Sequence, residues 1–503
     1  MADDQRKLGR RALLGGVLAT GALPVLAQAP MRSAFPQARP VQRGGATAAA
    51  VTARPVEALL AQARLGGTTA FIALDAATGA VIEALNPDAA LPPASVAKAA
   101  SALYAIETLG TGHRFTTRVL ASGPIAGGTL QGDLILQGGG DPTLQTADLA
   151  RLAQALVDAG LRRVSGRFLT DDNALPFLRE IAPDQPPQAG YNPALSGLNL
   201  NFNRVHFVWR PQGGRMLLSL DARSANEVPP VSVIAIEARN RDLPVYTYSD
   251  TGGSETWTVA AGALGGGGSR WLPVRRPGIY AGDVMRALLA ARGCTVPPPQ
   301  AARGRQGGTV LASHQSAPLA EMMRAMLRFS TNITAEAAGL SASRRGGGGV
   351  ASLPASGQRM SDWMHSRHGV GGMQFVDHSG LGDRSRVSAR GMAHFLLSAH
   401  RGGVLPPLLR RHTMRDGQGR EMPNHPLRAQ AKTGTLNFVS GLGGYAYLPG
   451  GREIVFAIFS ADLPRRAAIP ADQRERPADA PAWARRARAL QQGLLERWST
   501  IHA

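Results

Sequence analysis

The sequence predicts an α+β fold with more than one domain, and three observations support this prediction. Apolar and turn residues alternate over 69–85 as in a β-hairpin, and a second hairpin pattern surrounds the Pro-Gly-Gly at 449–451. Apolar residues at helical spacing recur between the two hairpins, for example over 95–109 and 319–327. A chain of 503 residues is also too long for one ordinary hydrophobic core.

Residues 1–29 have the features of a signal peptide. Basic residues, including the adjacent Arg10 and Arg11, precede a short apolar stretch and a small-x-small cleavage site. The arginine pair is compatible with twin-arginine export, and Sec export is the alternative. We therefore expect a periplasmic or otherwise extracytoplasmic protein, with residues 30–55 as a flexible leader rich in Pro, Ala, Gln and Arg.

The chain is strongly basic, with 55 Lys and Arg against 35 Asp and Glu and a formal net charge of +20. In an exported protein this charge favours weak association with anionic envelope polymers or a membrane surface, and an arginine-rich proteome is the other explanation. No basic segment with interleaved aromatic residues occurs, so we expect no nucleic-acid partner. The single cysteine, Cys294, excludes an internal disulfide and is expected to be a small buried apolar residue.

A change of character after the first helical pattern indicates an inserted region. Residues 116–271 consist mainly of short strand-like runs separated by turns. Four consecutive glycines before Ser269 are typical of a linker and mark the end of this region. We therefore assign 56–115 and 272–503 to one domain of helices and sheet, and 116–271 to one or more mainly β inserted domains.

The C-terminal stretch predicts an amphipathic helix. One face carries Trp483, Ala487, Leu490, Leu494 and Trp498, with arginines around it. The favoured interpretation is a last helix packed on the sheet, and a membrane-surface anchor is the alternative.

Beyond residue 30, lysine occurs only at Lys98 and Lys432, and both lie in short motifs with catalytic potential. Ser95 precedes Lys98 by three positions, so a helix places them on the same face, one turn apart. Arginine cannot lose its proton in a protein, so a basic residue that must act as a base has to be lysine. Burial and a neighbouring cation can lower the pKa of such a lysine until it takes the serine proton and creates a nucleophile.

Two further motifs complete a candidate acyl-transfer site. The Ser-Thr-Asn stretch offers the hydroxyl of Ser330 to relay a proton to a leaving amine, and the amide of Asn332 to orient substrate or the lysine. A Lys-Thr-Gly-Thr stretch offers a cation, two hydroxyls and a glycine that lets a ligand approach the backbone. These groups suit a peptide with a free carboxylate, while the backbone N–H groups of Ser95 and Thr435 can form an oxyanion hole. The second stretch consists of Lys432, Thr433, Gly434 and Thr435.

In this order the three motifs are typical of penicillin-binding proteins and class A β-lactamases. Ser95 and Ser330 are 235 positions apart, which leaves room for inserted domains between them. On these grounds the chain resembles the D-alanyl-D-alanine carboxypeptidase/endopeptidase family of penicillin-binding proteins, peptidase family S13, of the class C low-molecular-mass type. The resemblance covers about 60–462 and includes the stretches Gly140-Asp141-Pro142-Thr143-Leu144, Tyr191-Asn192-Pro193 and Ser379-Gly380-Leu381.

The resemblance implies a penicillin-binding, transpeptidase-like fold, similar to that of β-lactamases, with helices on an antiparallel sheet. It implies hydrolysis of the terminal D-Ala-D-Ala bond of peptidoglycan stem peptides or of D-Ala cross-links, with no metal or cofactor, and covalent inhibition by β-lactam antibiotics. On the matching positions, Ser95 is the acylated nucleophile, Lys98 its base, and Ser330 with Asn332 the relay pair. The carboxylate clamp then consists of Lys432, Thr433 and Thr435 around Gly434.

Three other functions stay open as alternatives. A β-lactamase would need a deacylating water that no motif identifies, and an esterase of the S-x-x-K type would usually replace the last two motifs. A catalytically silent cell-wall binding protein is the alternative of another class, which the intact motifs disfavour. Departures from the family pattern at His378, Gly382 and Ser385 concern substrate preference more than catalysis.

Histidine-based sites are disfavoured. A Ser-His-Asp triad from Asp377, His378 and Ser379 would need neighbours in sequence to converge in space, and no G-x-S-x-G elbow occurs. His365 and His368 form an H-x-x-H pair that lacks the glutamate of a zinc protease motif, so we expect no metal site there.

Overall fold

The computed structural model of the protein describes residues 53–345, 349–416 and 420–501. The predicted signal peptide and nearly all of the predicted leader lie outside these ranges. The helices, in chain order, are α1 (Val56–Ala63), α2 (Ala97–Leu109), α3 (Thr146–Asp158), α4 (Pro277–Ala290), α5 (Leu319–Phe329), α6 (Asn332–Arg345), α7 (Leu353–His368), α8 (Ala389–Arg401), α9 (Leu463–Ala467) and α10 (Ala480–Ile501).

The strands of the largest sheet pair only in the antiparallel sense and helices cover it, which confirms the predicted α+β class. In chain order the strands are β1 (Thr68–Asp75), β2 (Val81–Leu85), β3 (Thr116–Ala121), β4 (Ile125–Ala126), β5 (Thr129–Leu130), β6 (Leu134–Gln137), β7 (Arg163–Val164), β8 (Phe168–Asp171), β9 (Arg204–Gln212), β10 (Arg215–Asp221), β11 (Ile234–Arg239), β12 (Tyr246–Asp250), β13 (Glu255–Ala260), β14 (Gly268–Pro273), β15 (Pro299–Ala301), β16 (Thr309–Gln315), β17 (Arg411–His412), β18 (Arg428–Leu436), β19 (Val439–Tyr447) and β20 (Glu453–Ala461).

A six-stranded antiparallel sheet, in the order β17-β18-β19-β20-β1-β2, organises the first and last parts of the described chain. Strands β19 and β20 near its centre are almost entirely buried because both faces of the sheet are covered there. In β20, Val455 and Phe459 belong to one hydrophobic core, whereas Phe456 and Ile458 belong to another on the opposite face. This alternation follows from side chains that point to opposite faces at successive positions of a strand.

Helices pack on both faces of this sheet. Helices α2, α5, α7 and α8 share the first core, and α1 with α10 form the second. Trp483 and Trp498 of α10 are fully buried, and the Trp483 indole donates a hydrogen bond to the carbonyl of Leu65 at 2.6 Å. The predicted packing of the last helix on the sheet is therefore confirmed, because its apolar face is covered by protein. None of the described helices is both long and apolar enough to span a bilayer.

The inserted region is built on a five-stranded sheet in the order β15-β8-β6-β3-β16. Helices α3 and α4 share its core with two smaller sheets, β10-β9-β14 and β11-β13-β12. Since β16 pairs with β3 and α4 packs on β8 and β15, residues 272–315 belong structurally with this region. We therefore propose that the inserted region ends near 315, instead of at the predicted residue 271.

The glycine run before Ser269 explains the difference. Gly268 begins β14, which pairs with β9, so the prediction of a linker at this run is wrong. A Cβ at Gly268 would lie 2.7 Å from the Trp209 ring, so glycine is needed where the strand passes under the indole. A run of glycines occurs both in flexible linkers and where a strand packs closely against a side chain, so the local composition alone does not distinguish the two.

Candidate active site

Ser95 lies in a short 3₁₀ turn, Ala94–Val96, that runs directly into α2. Ala94 has a left-handed backbone conformation with φ of 45°. For an alanine this conformation costs about 1 kcal/mol, and such strain is typical of functional turns. The turn presents a partly exposed serine at the start of an otherwise buried helix.

Helix α2 is buried from Ala97 to Ile106 because α5, α6 and α7 pack around it. Five of these ten positions are alanines, whose small side chains allow close packing on every side. Lys98 lies within this buried stretch and has no exposed surface.

The amine of Lys98 has three polar neighbours. Its Nζ atom lies 2.9 Å from Ser95 Oγ, 2.7 Å from Asn332 Oδ1 and 2.7 Å from the carbonyl oxygen of Ser379. The amide oxygen and the carbonyl oxygen can only accept hydrogen bonds. A neutral amine has two N–H groups and one lone pair, so these acceptors take both N–H groups and the lone pair faces the hydroxyl of Ser95. In this geometry the amine can accept the proton of the Ser95 hydroxyl.

The orientation of the Asn332 amide is fixed from the inserted region. Its Nδ2 atom donates to the carbonyl oxygen of Tyr191 at 2.9 Å, so Oδ1 must face Lys98. The Tyr191-Asn192-Pro193 stretch therefore acts through its backbone, which sequence reasoning had no means to assign.

Burial lowers the pKa of Lys98 well below its usual value, and the positive charge of Lys432 lowers it further. Glu336 and Asp377 act in the opposite direction, since their negative charges raise the pKa of this amine. The lowered pKa means that Lys98 loses its proton more readily than an exposed lysine.

Ser330 lies close in sequence to Asn332 but in a different setting. It ends α5 in a left-handed conformation with φ of 59°, and α6 begins two residues later at Asn332. Its side chain is partly exposed, and its hydroxyl makes no hydrogen bond to any of the described residues. The structure thus places Asn332 against Lys98, whereas the hydroxyl of Ser330 has no partner within the described part of the chain.

The K-T-G-T stretch lies on β18, beside the Ser95 turn. Thr433 and Thr435 are exposed on one side of the strand, while Lys432 and Gly434 are buried on the other. A Cβ at Gly434 would lie 2.9 Å from the backbone nitrogen of Ser95, so only glycine lets β18 approach the nucleophile this closely.

Lys432 is almost fully buried, and its Nζ donates to the carbonyl oxygen of Thr433 at 2.7 Å. Burial lowers the pKa of this lysine to about 8, and the charge of Arg410 contributes to the shift. Its charge is therefore largely present at neutral pH and is lost as the pH rises through about 8.

Two buried carboxyl groups behind Lys98 were not assigned from the sequence. Glu336 on α6 accepts the backbone N–H groups of His378 at 2.9 Å and Ser379 at 2.8 Å. Burial raises the pKa of both Glu336 and Asp377, and the charge of Asp377 adds to the rise at Glu336. The available sequence signal was an aspartate followed by two closely spaced glycines, Gly380 and Gly382, as in a side-chain-stabilised turn.

The ring of His378 is buried in the protein core. It is stacked on Tyr104 with ring centroids 6.1 Å apart, and its Nε2 atom lies 2.7 Å from Ser356 Oγ. Burial lowers the pKa of His378 to about 3, so the ring is neutral. Its polar partner is Ser356 and not Asp377 or Ser379, so the structure gives no support to a Ser-His-Asp triad at these positions.

The other histidine pair has local partners. His368 Nδ1 lies 2.9 Å from Ser398 Oγ, and its Nε2 lies 3.8 Å from a carboxylate oxygen of Glu107. Across the described ranges, no group of three or more His, Cys, Asp or Glu side chains is placed to hold a metal ion. Cys294 is buried, as expected for a small apolar residue.

The S-x-x-K, S-x-N and K-T-G stretches thus meet beside β18, on a sheet with helices on both faces. This combination defines the class of penicillin-recognising serine enzymes. The chain belongs to the D-Ala-D-Ala carboxypeptidase 3 (S13) family, whose model matches residues 52–478. It is therefore a serine-type carboxypeptidase that acts on peptidoglycan, outside the cytoplasm, and the family resemblance inferred from the sequence is confirmed.

Individual relatives and a solved structure agree with this assignment. The chain is 28% identical over 454 residues to a D-alanyl-D-alanine carboxypeptidase of an Actinomadura species, covering 80% of this chain and 79% of the relative. It is 27% identical over 449 residues to the carboxypeptidase DacB of Mycolicibacterium smegmatis, with 84% and 80% covered. The crystal structure of penicillin binding protein 4 (dacB) from Haemophilus influenzae matches with a TM-score of 0.72 at 19% identity, covering 88% of this chain and 99% of that one. This last likeness confirms the penicillin-binding, transpeptidase-like fold.

The fit between His378 and Gly339 gives a testable prediction. A Cβ at Gly339 would lie 2.2 Å from the ring of His378, so Gly339→Ala should lower the stability of the protein by about 1–3 kcal/mol through overpacking. In the double variant with His378→Gly the clash is absent, so the two effects should not add. Thermal melting of both single variants and the double variant checks this. Additive changes would contradict the packing of the ring against α6.

Proposed function

We propose that the protein is an exported serine DD-peptidase that hydrolyses terminal D-Ala-D-Ala bonds, D-Ala cross-links of peptidoglycan, or both, through an acyl-enzyme on Ser95. The observation that carries this proposal is the amine of Lys98. With its two N–H groups held by Asn332 and the Ser379 carbonyl, its lone pair faces the hydroxyl of Ser95 at 2.9 Å.

The acylation step follows from this geometry. The Oγ–H proton of Ser95 moves to Lys98 Nζ while Oγ forms a bond to the carbonyl carbon of the D-Ala residue that will be acylated. Negative charge develops on the carbonyl oxygen, where the N–H groups of Ser95 and Thr435 form the oxyanion hole. The close approach of Gly434 to the nitrogen of Ser95 supports this pairing of donors.

The leaving group and the hydrolysis of the ester need a proton relay. The C–N bond breaks as the leaving amine takes the proton held by Lys98, through the hydroxyl of Ser330. The free, partly exposed hydroxyl of Ser330 suits a group that must contact substrate. Water then hydrolyses the ester, with Lys98 as its base, and restores Ser95.

The clamp for the substrate carboxylate lies on β18. Thr433 and Thr435 are exposed on β18, where their hydroxyls can contact a ligand, and Lys432 supplies a buried positive charge on the same strand. Charge-assisted hydrogen bonds of this kind are stronger than neutral ones, which favours a peptide that ends in a free carboxylate. β-Lactams carry a carboxylate beside a reactive acyl group, so we expect them to be covalent inhibitors at the same site.

A β-lactamase or an S-x-x-K esterase would use the same acylation chemistry. These activities differ from the proposed one in how the acyl-enzyme reacts after it has formed. The proposal also includes export by the predicted signal peptide, through the twin-arginine or Sec route. It further includes weak association of the basic chain with anionic envelope polymers or a membrane surface. No metal or cofactor is needed for the steps above.

Covalent labelling with fluorescent penicillin tests the nucleophile and the base. We expect a stable label on the wild-type protein, none on Ser95→Ala, and nearly none on Lys98→Arg, because arginine cannot act as a base. Labelled protein separated on a denaturing gel gives the readout, and melting temperatures control for folding. Absence of label on the wild-type protein would contradict the proposed acyl-enzyme mechanism. Rapid loss of the label would favour a β-lactamase.

Digestion of purified peptidoglycan tests the substrate. We expect release of free D-Ala from stem peptides, conversion of cross-linked dimers to monomers, or both, with Ser95→Ala as the inactive control. Mass spectrometry of the products distinguishes the two reactions. A protein that is labelled by penicillin but releases neither product is not a DD-peptidase.

The pKa of Lys432, lowered to about 8, predicts a pH dependence of substrate recognition. The charge is present below about 8 and lost above it, so kcat/KM for a D-Ala-D-Ala peptide should fall as the pH rises through this value. Lys432→Arg keeps its charge and should abolish this fall, with kcat/KM lower by about 10- to 100-fold because the geometry changes. Arg410→Gln is the matched control. It removes a cation that lowers this pKa, so the fall should move to higher pH. An unchanged profile in both variants would contradict the role of Lys432.

A further inference from the structure

The peptide bond between Ser379 and Gly380 lies between Lys98 and a buried carboxyl group. Its carbonyl oxygen accepts a hydrogen bond from Lys98 Nζ at 2.7 Å. Its N–H group donates to Asp377 Oδ1 at 2.9 Å. A carboxylate that accepts the N–H of a peptide polarises it and makes its carbonyl oxygen a better acceptor. Asp377 therefore acts on the amine of Lys98 through one peptide unit.

Two buried carboxyl groups together hold the loop of residues 377–382 in place. Besides Gly380, Asp377 accepts the N–H of Gly382 at 3.0 Å. Glu336 accepts the N–H groups of His378 and Ser379, one on each carboxylate oxygen. Four backbone donors thus point into two carboxyl groups, and the carbonyl of Ser379 is left pointing at Lys98.

A close packing contact keeps the loop against the nucleophile turn. Gly380 has φ of +67°, and a Cβ there would lie 1.9 Å from the carbonyl oxygen of Ala94. The loop and the Ser95 turn therefore touch through their backbones, so a small displacement of the loop moves the acceptor of Lys98.

We propose that Glu336 and Asp377 are positioning residues for Lys98. They hold the carbonyl of Ser379 against its amine, and they supply the negative charge that stabilises the ammonium formed when it takes the proton of Ser95. This inference rests on the proposed function, since it concerns the acylation step of that reaction.

The charge balance of the site supports the second part of the proposal. During acylation the proton of Ser95 moves to Lys98 Nζ, which becomes a cation with no exposed surface. Lys432 is a second buried cation beside it. Two buried cations without compensating charge are strongly unfavourable in a medium of low dielectric constant. Glu336 and Asp377 are the carboxyl groups that face these cations, and each compensates them in its ionised form, which burial disfavours by raising the pKa of both groups.

The groups that face this cluster come from four parts of the fold. Lys98 on α2 is faced by Lys432 on β18, Glu336 on α6 and Asp377 in the loop. Asp377 is also faced by Asp184 of the inserted region, whose carboxylate pairs with Arg466 at 3.1 Å. The ring of His378 is neutral and adds no charge. Negative charge on Glu336 and Asp377 keeps the pKa of Lys98 from falling further. Removing this charge should therefore lower the pKa of Lys98.

The test measures acylation by fluorescent penicillin as a function of pH in Glu336→Gln and Asp377→Asn. The neutral amine is the reactive form, so the acylation rate falls as the pH drops through the pKa of Lys98. Removing a negative neighbour lowers that pKa, and we expect the acid limb to move to lower pH by about one unit in Asp377→Asn. In Glu336→Gln the shift should be smaller, because burial raises the pKa of Glu336 to about 8 and this carboxyl group is largely protonated below that pH. The maximal acylation rate should fall about 100-fold through misplacement of the acceptor. The concentration of penicillin for half-maximal rate should change little, because neither residue touches the ligand.

Two control variants separate charge from structure. Ser101→Ala removes a hydrogen bond of 2.6 Å to the carbonyl of His378 on the same loop, without any change in charge, and should leave the acid limb in place. Glu336→Asp keeps the charge on a shorter side chain, so it should slow acylation while the limb stays near its wild-type position. A wild-type limb in both Glu336→Gln and Asp377→Asn would overturn the proposal.

Two further outcomes are informative. If Glu336→Gln does not fold, Asp377→Asn carries the test, and a wild-type acid limb in that variant would overturn the proposal. A wild-type protein that is not acylated at all contradicts the proposed function itself, and the two failures are therefore distinguishable.

Discussion

The three hydrogen bonds of the Lys98 amine are the constraint on which the candidate site depends. They join the Ser95 turn, the start of α6 and the loop that contains Ser379, which are far apart in the chain. The amine has no exposed surface, so water cannot replace a partner that is displaced. Every element that packs around α2 therefore contributes to placing the lone pair of this lysine against the serine.

The inserted region takes part in this arrangement. The Tyr191 carbonyl fixes the amide of Asn332, so the region reaches the Lys98 amine through a single intermediate side chain. Arg466, beyond β20, reinforces the junction, since its guanidinium pairs with Asp184 at 3.1 Å and with Asp383 at 3.4 Å. A change in the orientation of the inserted region would therefore alter the orientation of the Lys98 amine.

Local patterns predicted the parts of the molecule that depend on local spacing. The interval between Ser95 and Lys98 fixed their contact, and the apolar face around Trp483 predicted the packing of the last helix. The pairing of β3 with β16 joins segments separated by most of the inserted region, and no local pattern records it. Glu336 and Asp377 escaped assignment for a related reason. Their partners are backbone N–H groups, which every residue except proline carries, so the only local signal is the pair of glycines that follows Asp377.

The scarcity of lysine has a consequence for the reactivity of the whole surface. In the described part of the chain, Lys98 and Lys432 are the only lysines, and they are 0% and 3% exposed. The remaining cations there are guanidinium groups, which stay protonated and are poor nucleophiles. An electrophile such as an activated ester, or a β-lactam itself, therefore meets no exposed side-chain amine on this part of the folded protein. Modification of these lysines would report that the core around α2 or β18 has opened, and would serve as a chemical probe of local unfolding at the active site.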